Sequence, residues 1–216
     1  MENLNSELES SFGRRVFADY IKSKFEDLSL INTFDRLTAL YFEVNSAVNI
    51  SALRTVDDVY VKHYLDSVYP SEYFFGSCCD VGCGGGFPTL PLAITTKLDF
   101  TGLDSVGKKL ALIKRAVAEL GIKNVRPEYS RAEVLSKTEK RFDTVCARAL
   151  ADIDTALSFC APLAKPHGKV ILYRTQNDNE ASKKTVTKYS LSLESVIDYD
   201  LPETDIHRRL FIYEKK

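Results

Sequence analysis

Three glycines at alternate positions, Gly82, Gly84 and Gly86, follow the short apolar run 78–81 and precede Phe87-Pro88. Such a run suits a buried strand. Glycines let the backbone turn sharply and come into contact with a ligand that a Cβ would hold off. Pro88 suits a first helical position, where its missing N–H would be unpaired in any case. The arrangement is a strand, a tight turn and a helix start, which together can cradle a nucleoside. A dinucleotide fingerprint would need its third glycine at position 87, where Phe87 stands. The spacing G-x-G-x-G instead suits a nucleoside with a small polar tail.

A second candidate lies 22 residues after Gly82, at Asp104, which ends the apolar stretch 98–104. A carboxylate at a strand end with this spacing can accept hydrogen bonds from both hydroxyls of a ribose. A helix N-cap is the alternative role, for which Ser105 competes. Coupled to the glycine turn, ribose binding is the reading preferred.

Elements must position these groups. Residues 10–70 carry apolar side chains at helical spacing, including Phe12, Val16 and Tyr20, then Leu37, Leu40 and Val44. A third helix over 56–69 follows the capping candidate Thr55 and stops at Pro70. Beyond it, strands are predicted at 78–82, 98–104, 124–129, 142–147 and 168–174, with helices at 88–96, 107–120, 152–161 and 178–189. This alternation predicts an α/β fold with a parallel sheet and helices on both faces. Two β-rich runs, 191–201 and 208–214, are separated by a connection too short for a parallel crossover, so the last strand returns antiparallel. The expected architecture is a Rossmann-like class I methyltransferase fold, a seven-stranded, mostly parallel sheet with an antiparallel last strand, preceded by N-terminal helices. Residues 1–216 then form one domain, with 1–70 a helical extension on a 71–216 core.

Composition narrows the class. The 216 residues are 44% hydrophobic and 27% charged, as in ordinary globular proteins. The acidic start, with Glu2, Glu7 and Glu9, carries no signal-peptide pattern, and no apolar run is long enough to span a bilayer, so a cytoplasmic protein is expected. Five cysteines, at 78, 79, 83, 146 and 160, form no C-x-x-C pair and do not cluster with the histidines, so neither a metal site nor a disulfide is expected. A net charge of −1 announces no nucleic-acid partner, but Lys108, Lys109, Lys114 and Arg115 concentrate positive charge on one helix.

Several motifs occur in order: Asn49-Ile50-Ser51, His63-Tyr64-Leu65-Asp66-Ser67, the glycine turn, Leu103-Asp104-Ser105-Val106-Gly107-Lys108-Lys109, Ser130-Arg131-Ala132-Glu133 and Cys146-Ala147-Arg148-Ala149. From about residue 35 onward the chain resembles the RsmG (GidB) family, bacterial enzymes that methylate N7 of one guanine in 16S rRNA with S-adenosylmethionine. The resemblance implies that Gly82, Gly84 and Phe87 line the methionine and ribose of the cofactor. It places Asp104 and Ser105 on the ribose hydroxyls, and Ala132 and Glu133 beside the adenine. Arg148 would stand next to cofactor and incoming base as the catalytic residue, and Lys108, Arg131, Arg208 and Arg209 near the RNA. A monomer acting on the small ribosomal subunit is expected, with no metal and no membrane. Two positions depart from the family pattern: Thr89 replaces a glycine, and Arg174 a lysine.

Guanine N7 carries a lone pair and no proton, so its methylation needs positioning rather than a general base. Cys146 reads as core, and Arg148 as a donor to guanine O6 with a surface salt bridge as its alternative. His63 and Asp66, three residues apart, share a helix face and are expected to brace it against the sheet. Tyr60 and Tyr64 could stack on bases, but at helical spacing they read as core. A methyltransferase acting on a small molecule or protein, or a nicotinamide oxidoreductase, are the competing readings. Phe87 and the closing hairpin oppose the second.

Overall fold

The computed structural model describes residues 2–216. Met1 and the side chains of Glu2 and Asn3 lie outside the described residues, so the acidic start can be followed only from Glu7. Seven strands form one sheet: β1 (Cys78–Val81), β2 (Phe100–Asp104), β3 (Val125–Tyr129), β4 (Phe142–Arg148), β5 (Ala164–Arg174), β6 (Leu191–Asp200) and β7 (His207–Lys215). Their order is β3-β2-β1-β4-β5-β7-β6. The first five strands pair in parallel, and β7 runs antiparallel between β5 and β6. The expected antiparallel return is present. The order reverses between β1 and β4, which opens a crevice at the carboxyl ends of the strands.

Side chains alternate across a strand, and both faces here are covered. From β1 and β4, Cys78 and Cys146 join one buried cluster, whereas Cys79, Val81, Val145 and Ala147 join the other. All five cysteines are buried and free, and burial raises the Cys146 thiol far above its usual range, as suits a core residue.

The first cluster receives α2 (Phe12–Phe25), α3 (Ser29–Val48), α6 (Thr89–Thr96) and α7 (Ala111–Leu120), for example through Phe17, Phe34, Leu90 and Leu112. Phe17 meets Phe34 at 4.7 Å and Phe34 meets Tyr64 at 4.9 Å between ring centroids, contacts worth about 0.5–1.5 kcal/mol each beyond simple burial. Tyr60 and Tyr64 are fully enclosed here. The second cluster receives α8 (Ala132–Leu135) and α9 (Ile153–Cys160) through Leu135 and Leu157.

Differences from the sequence reading have local causes. Helix α1 (Glu2–Ser10) was not anticipated, because Leu4 and Leu8 are its only large apolar residues. The expected helix 178–189 shrinks to α10 (Lys183–Lys188): Ser182 caps it by accepting the Thr185 N–H, and Asp178 is instead held in a turn by the Thr175 N–H and hydroxyl. The expected helix at 56–69 is present, with Thr55 capping through Asp58 N–H, but its centre is unusual. α4 (Val56–Asp58) and α5 (Asp66–Val68) flank a π-helical stretch, Val59–Leu65. π-Segments recur at functional sites.

Candidate functional site

Two neighbouring cavities occupy the crevice. The first, of about 300 Å³, is lined by Gly82, Asp104, Ser105, Arg131, Ala132 and Glu133 among others. The glycine turn forms one wall. Gly82 and Cys83 donate their N–H groups to the Leu103 carbonyl at 2.8 and 3.0 Å, which ties the turn to β2. A Cβ on Gly82 would meet Leu150 at 2.5 Å, whereas one on Gly84 would meet nothing within 4 Å. Both glycines have positive φ, 73° and 54°. Gly82 is therefore enclosed by packing, while Gly84 has open space beside it.

Asp104 is 5% exposed and does two structural jobs at once. Its Oδ2 accepts the Gly84 N–H at 2.9 Å and its Oδ1 the Val106 N–H at 2.7 Å. It is an acceptor within the turn rather than a helix N-cap, and neither it nor Ser105 caps the short 3₁₀ stretch Gly107–Leu110. A carboxylate has about four lone-pair sites, so capacity remains on each oxygen after these bonds.

Behind the turn, Thr89 explains one departure from the family pattern. Its hydroxyl donates to Asp80 Oδ2 at 2.7 Å, and both side chains are buried. Asp80 Oδ1 has no partner. Burial pushes the Asp80 carboxyl up to about 6, against the pull of the Thr89 hydrogen bond and of Arg148.

The second cavity, of about 410 Å³, shares Ala149 with the first and is lined by His63, Asp66, Arg148, Arg174 and Arg208 among others. Asp66, whose side chain is 6% exposed, bridges two arginines: Arg148 Nη1 lies 3.2 Å from Oδ2 and Arg208 Nε 3.0 Å from Oδ1. Arg148 also donates from Nη1 to the Lys62 carbonyl at 2.9 Å, and its Nη2 lies 2.9 Å from His63 Nδ1. His63 Nε2 reaches Ser51 Oγ at 3.0 Å. His63 and Asp66 do face the sheet together as expected, and the residue they hold there is Arg148. Arg174 enters the same cavity with its Nε buried and unpartnered.

The structure thus gathers Gly82, Asp104, Ser105, Arg131, Ala132 and Glu133 around the first cavity, and Arg148 and Arg208 around the second. Gly84 lies at the turn between Gly82 and the Asp104 carboxylate. Phe87 is buried and stacks on His63, with centroids 4.0 Å apart and planes at 3°, so it lines neither cavity. Lys108 stands exposed on the 3₁₀ stretch. Arg209, on the other side of its strand, pairs with Asp198 at 2.7 Å and bonds the Gln176 and Asp178 carbonyls. Sequence reasoning gave no role to Ser51 or to the Lys62 carbonyl. Among the described residues no group of three or more His, Cys, Asp or Glu could hold a metal, and no helix is long and apolar enough to cross a membrane.

A family model described as rRNA small subunit methyltransferase G matches residues 30–211. The chain belongs to this family, GidB. Similar family members include the ribosomal RNA small subunit methyltransferase G of Actinobacillus pleuropneumoniae serotype 5b, 39% identical over 173 residues, covering 79% of this chain and 82% of that protein. The protein of the same name from Lysinibacillus sphaericus is 32% identical over 212 residues, covering 92% and 89%. Among solved structures, magnesium protoporphyrin IX methyltransferase from Synechocystis PCC 6803 matches with a TM-score of 0.57 at 15% identity, covering 84% of this chain and 97% of that one. A SAM-dependent methyltransferase from Aquifex aeolicus matches with a TM-score of 0.55 at 13% identity, covering 81% and 98%. These likenesses show that the GidB fold here is the Rossmann-like methyltransferase fold.

Proposed function

We propose that this protein methylates N7 of a guanine in 16S rRNA, using S-adenosylmethionine. The observation that carries the reading is the contact of two cavities at Ala149, one built on the glycine turn and one walled by arginines. The first fits the cofactor: Gly82 lines it, the buried Asp104 carboxylate retains acceptor capacity, and Gly84, which lines neither cavity, leaves open space next to that carboxylate where a Cβ would stand. Asp104 and Ser105 would hold the ribose, Ala132 and Glu133 the adenine, and Gly82 and Gly84 the methionine side. When bound, S-adenosylmethionine supplies an electrophilic methyl group on a sulfonium.

The protein's own task is positioning. The acceptor edge of guanine presents O6 beside N7, so donors are needed, and Arg148, Arg174 and Arg208 supply them. N7 has no proton to lose, so the site needs neither a general base nor a metal. Arg148 is the candidate catalytic residue because it lines the second cavity next to Ala149, the residue that the two cavities share. Arg131 and Lys108 lie at the first cavity and beside it, where they would meet phosphates. A protein of net charge −1 with so local a basic rim suits the assembled small subunit better than naked RNA. We extend the proposal to a cytoplasmic monomer formed as one unit, in which residues 1–70 are an extension on 71–216. Their shared core cluster supports a single unit.

Lys108→Glu tests the interface, since Lys108 lines neither cavity. Cofactor affinity should stay unchanged, while binding to small subunits weakens and its salt dependence loses a slope of about one. Unchanged binding and an unchanged slope would remove this face from the RNA contact.

A further inference from the structure

We infer that His63 is a positioning residue for methyl transfer, an acceptor that fixes the Arg148 guanidinium in the second cavity, next to the residue that the two cavities share. Arginine can only donate, so the 2.9 Å contact from Arg148 Nη2 requires a lone pair on His63 Nδ1. The proton of the neutral ring then sits on Nε2, which donates to Ser51 Oγ at 3.0 Å. The tautomer follows from the partners alone.

The surroundings hold the ring in that state. Phe87 covers one face in parallel at 4.0 Å, and Tyr41 meets the ring edge-on at 5.6 Å. Arg148 is the charged group bonded to the ring, with Asp66 and Arg208 behind it, while Lys62 pairs with Asp58 and Arg54 bonds Asn49 and the Ser51 carbonyl. Burial, followed by the Arg148 charge, pushes the imidazole down to about 3. A second cation beside the guanidinium is thereby excluded at any ordinary pH.

The π-helical stretch completes the clamp. Its register directs the Asp66 N–H to the Val61 carbonyl, five residues back, where an α-helix would use Lys62. The Lys62 carbonyl instead accepts from Arg148 Nη1 at 2.9 Å. With Asp66 as the third acceptor, three of the five arginine N–H groups are committed. The Nε–H and one Nη2–H remain for an incoming acceptor. Phe87 belongs to the glycine turn, so the same stack ties the clamp to the first cavity.

The inference rests on reading the second cavity as the acceptor site, and two measurements separate the claims. Nitrogen-15 NMR of the histidine rings in the full, cofactor-free chain should show His63 as the Nε2–H tautomer, without titration from about pH 5 to about pH 8. Arg148→Ala should release it into tautomer exchange. His63→Phe keeps a ring against Phe87 but removes the acceptor. Its kcat on small subunits should fall about a hundredfold, with S-adenosylmethionine affinity and melting temperature retained. His63→Asn, whose amide oxygen can replace Nδ1, should recover about tenfold of that loss. A His63 that titrates near its ordinary value, or a His63→Phe variant with wild-type kcat, overturns the inference. Wild-type protein that methylates no small subunit would instead overturn the function while leaving the tautomer result intact.

Discussion

Replacing Asp80 by Asn should reshape the dependence of stability on pH. The Asp80 carboxyl is enclosed under the glycine turn, and burial raises it from 3.8 to about 6. Each unit of such displacement corresponds to about 1.4 kcal/mol, so ionising Asp80 in the folded protein costs about 3 kcal/mol relative to the unfolded chain. Below the ordinary carboxylate range both states are protonated, and Asp80 costs nothing. As pH rises, the unfolded chain ionises first, and stability drains away until the folded carboxyl also ionises near 6. Asn keeps the shape and can still accept the Thr89 hydroxyl, and any fixed cost of its amide is the same at every pH. The stability of Asp80→Asn minus that of wild type should therefore rise by about 2.4 kcal/mol between about pH 4 and about pH 7.5. Urea unfolding of both proteins without cofactor, at closely spaced pH values, measures it. A difference that stays constant across that range would refute the buried-carboxylate reasoning. Thr89→Val, which removes the stabilising donor, should extend the upper end of the same window to higher pH.

Other substitutions test neighbouring parts of the site. Asp104→Ala should weaken S-adenosylmethionine binding by about 1–3 kcal/mol, read by calorimetry. An unchanged dissociation constant would remove Asp104 from the ribose. Gly86→Ala would press a Cβ to 2.7 Å from Ile113 and 2.9 Å from Leu90, costing about 1–3 kcal/mol of stability by overpacking alone. Gly84→Ala meets no neighbour and should cost only about 1–2 kcal/mol of left-handed strain, with a larger loss in cofactor affinity. Asp66→Ala strands two arginines and should destabilise the fold by about 3 kcal/mol, the low end for a buried pair because both arginines keep some solvent contact. Arg148→Ala should slow transfer strongly with cofactor affinity intact, and wild-type turnover would exclude it from the mechanism.

The sheet was legible because buried parallel strands are written as short continuous apolar runs. The expected strand 78–82 and the observed Cys78–Val81 differ by one residue. The glycine turn was equally readable, since close approach and positive φ both demand glycine. The arginine cavity was not. Arg148 and Arg208 reach Asp66 from 82 and 142 residues away, and no local pattern reports such a meeting. The spacing of His63 and Asp66 gave their common face but not their partner. The π register at Val59–Leu65 is also invisible to helical periodicity, which cannot tell which carbonyl a helix leaves free. Thr89 was visible as a departure, but its bond to Asp80 required the fold.

The central claim is most directly tested by transferring labelled methyl from S-adenosylmethionine to small subunits lacking the modification, then reducing the RNA and cleaving with aniline. That chemistry breaks the chain only where a guanine carries the cationic N7-methyl group. Label in 16S rRNA and one new cut are the expected result. Label without a cut would move the acceptor away from N7, and no label despite measurable cofactor binding would contradict the assignment of RNA as substrate.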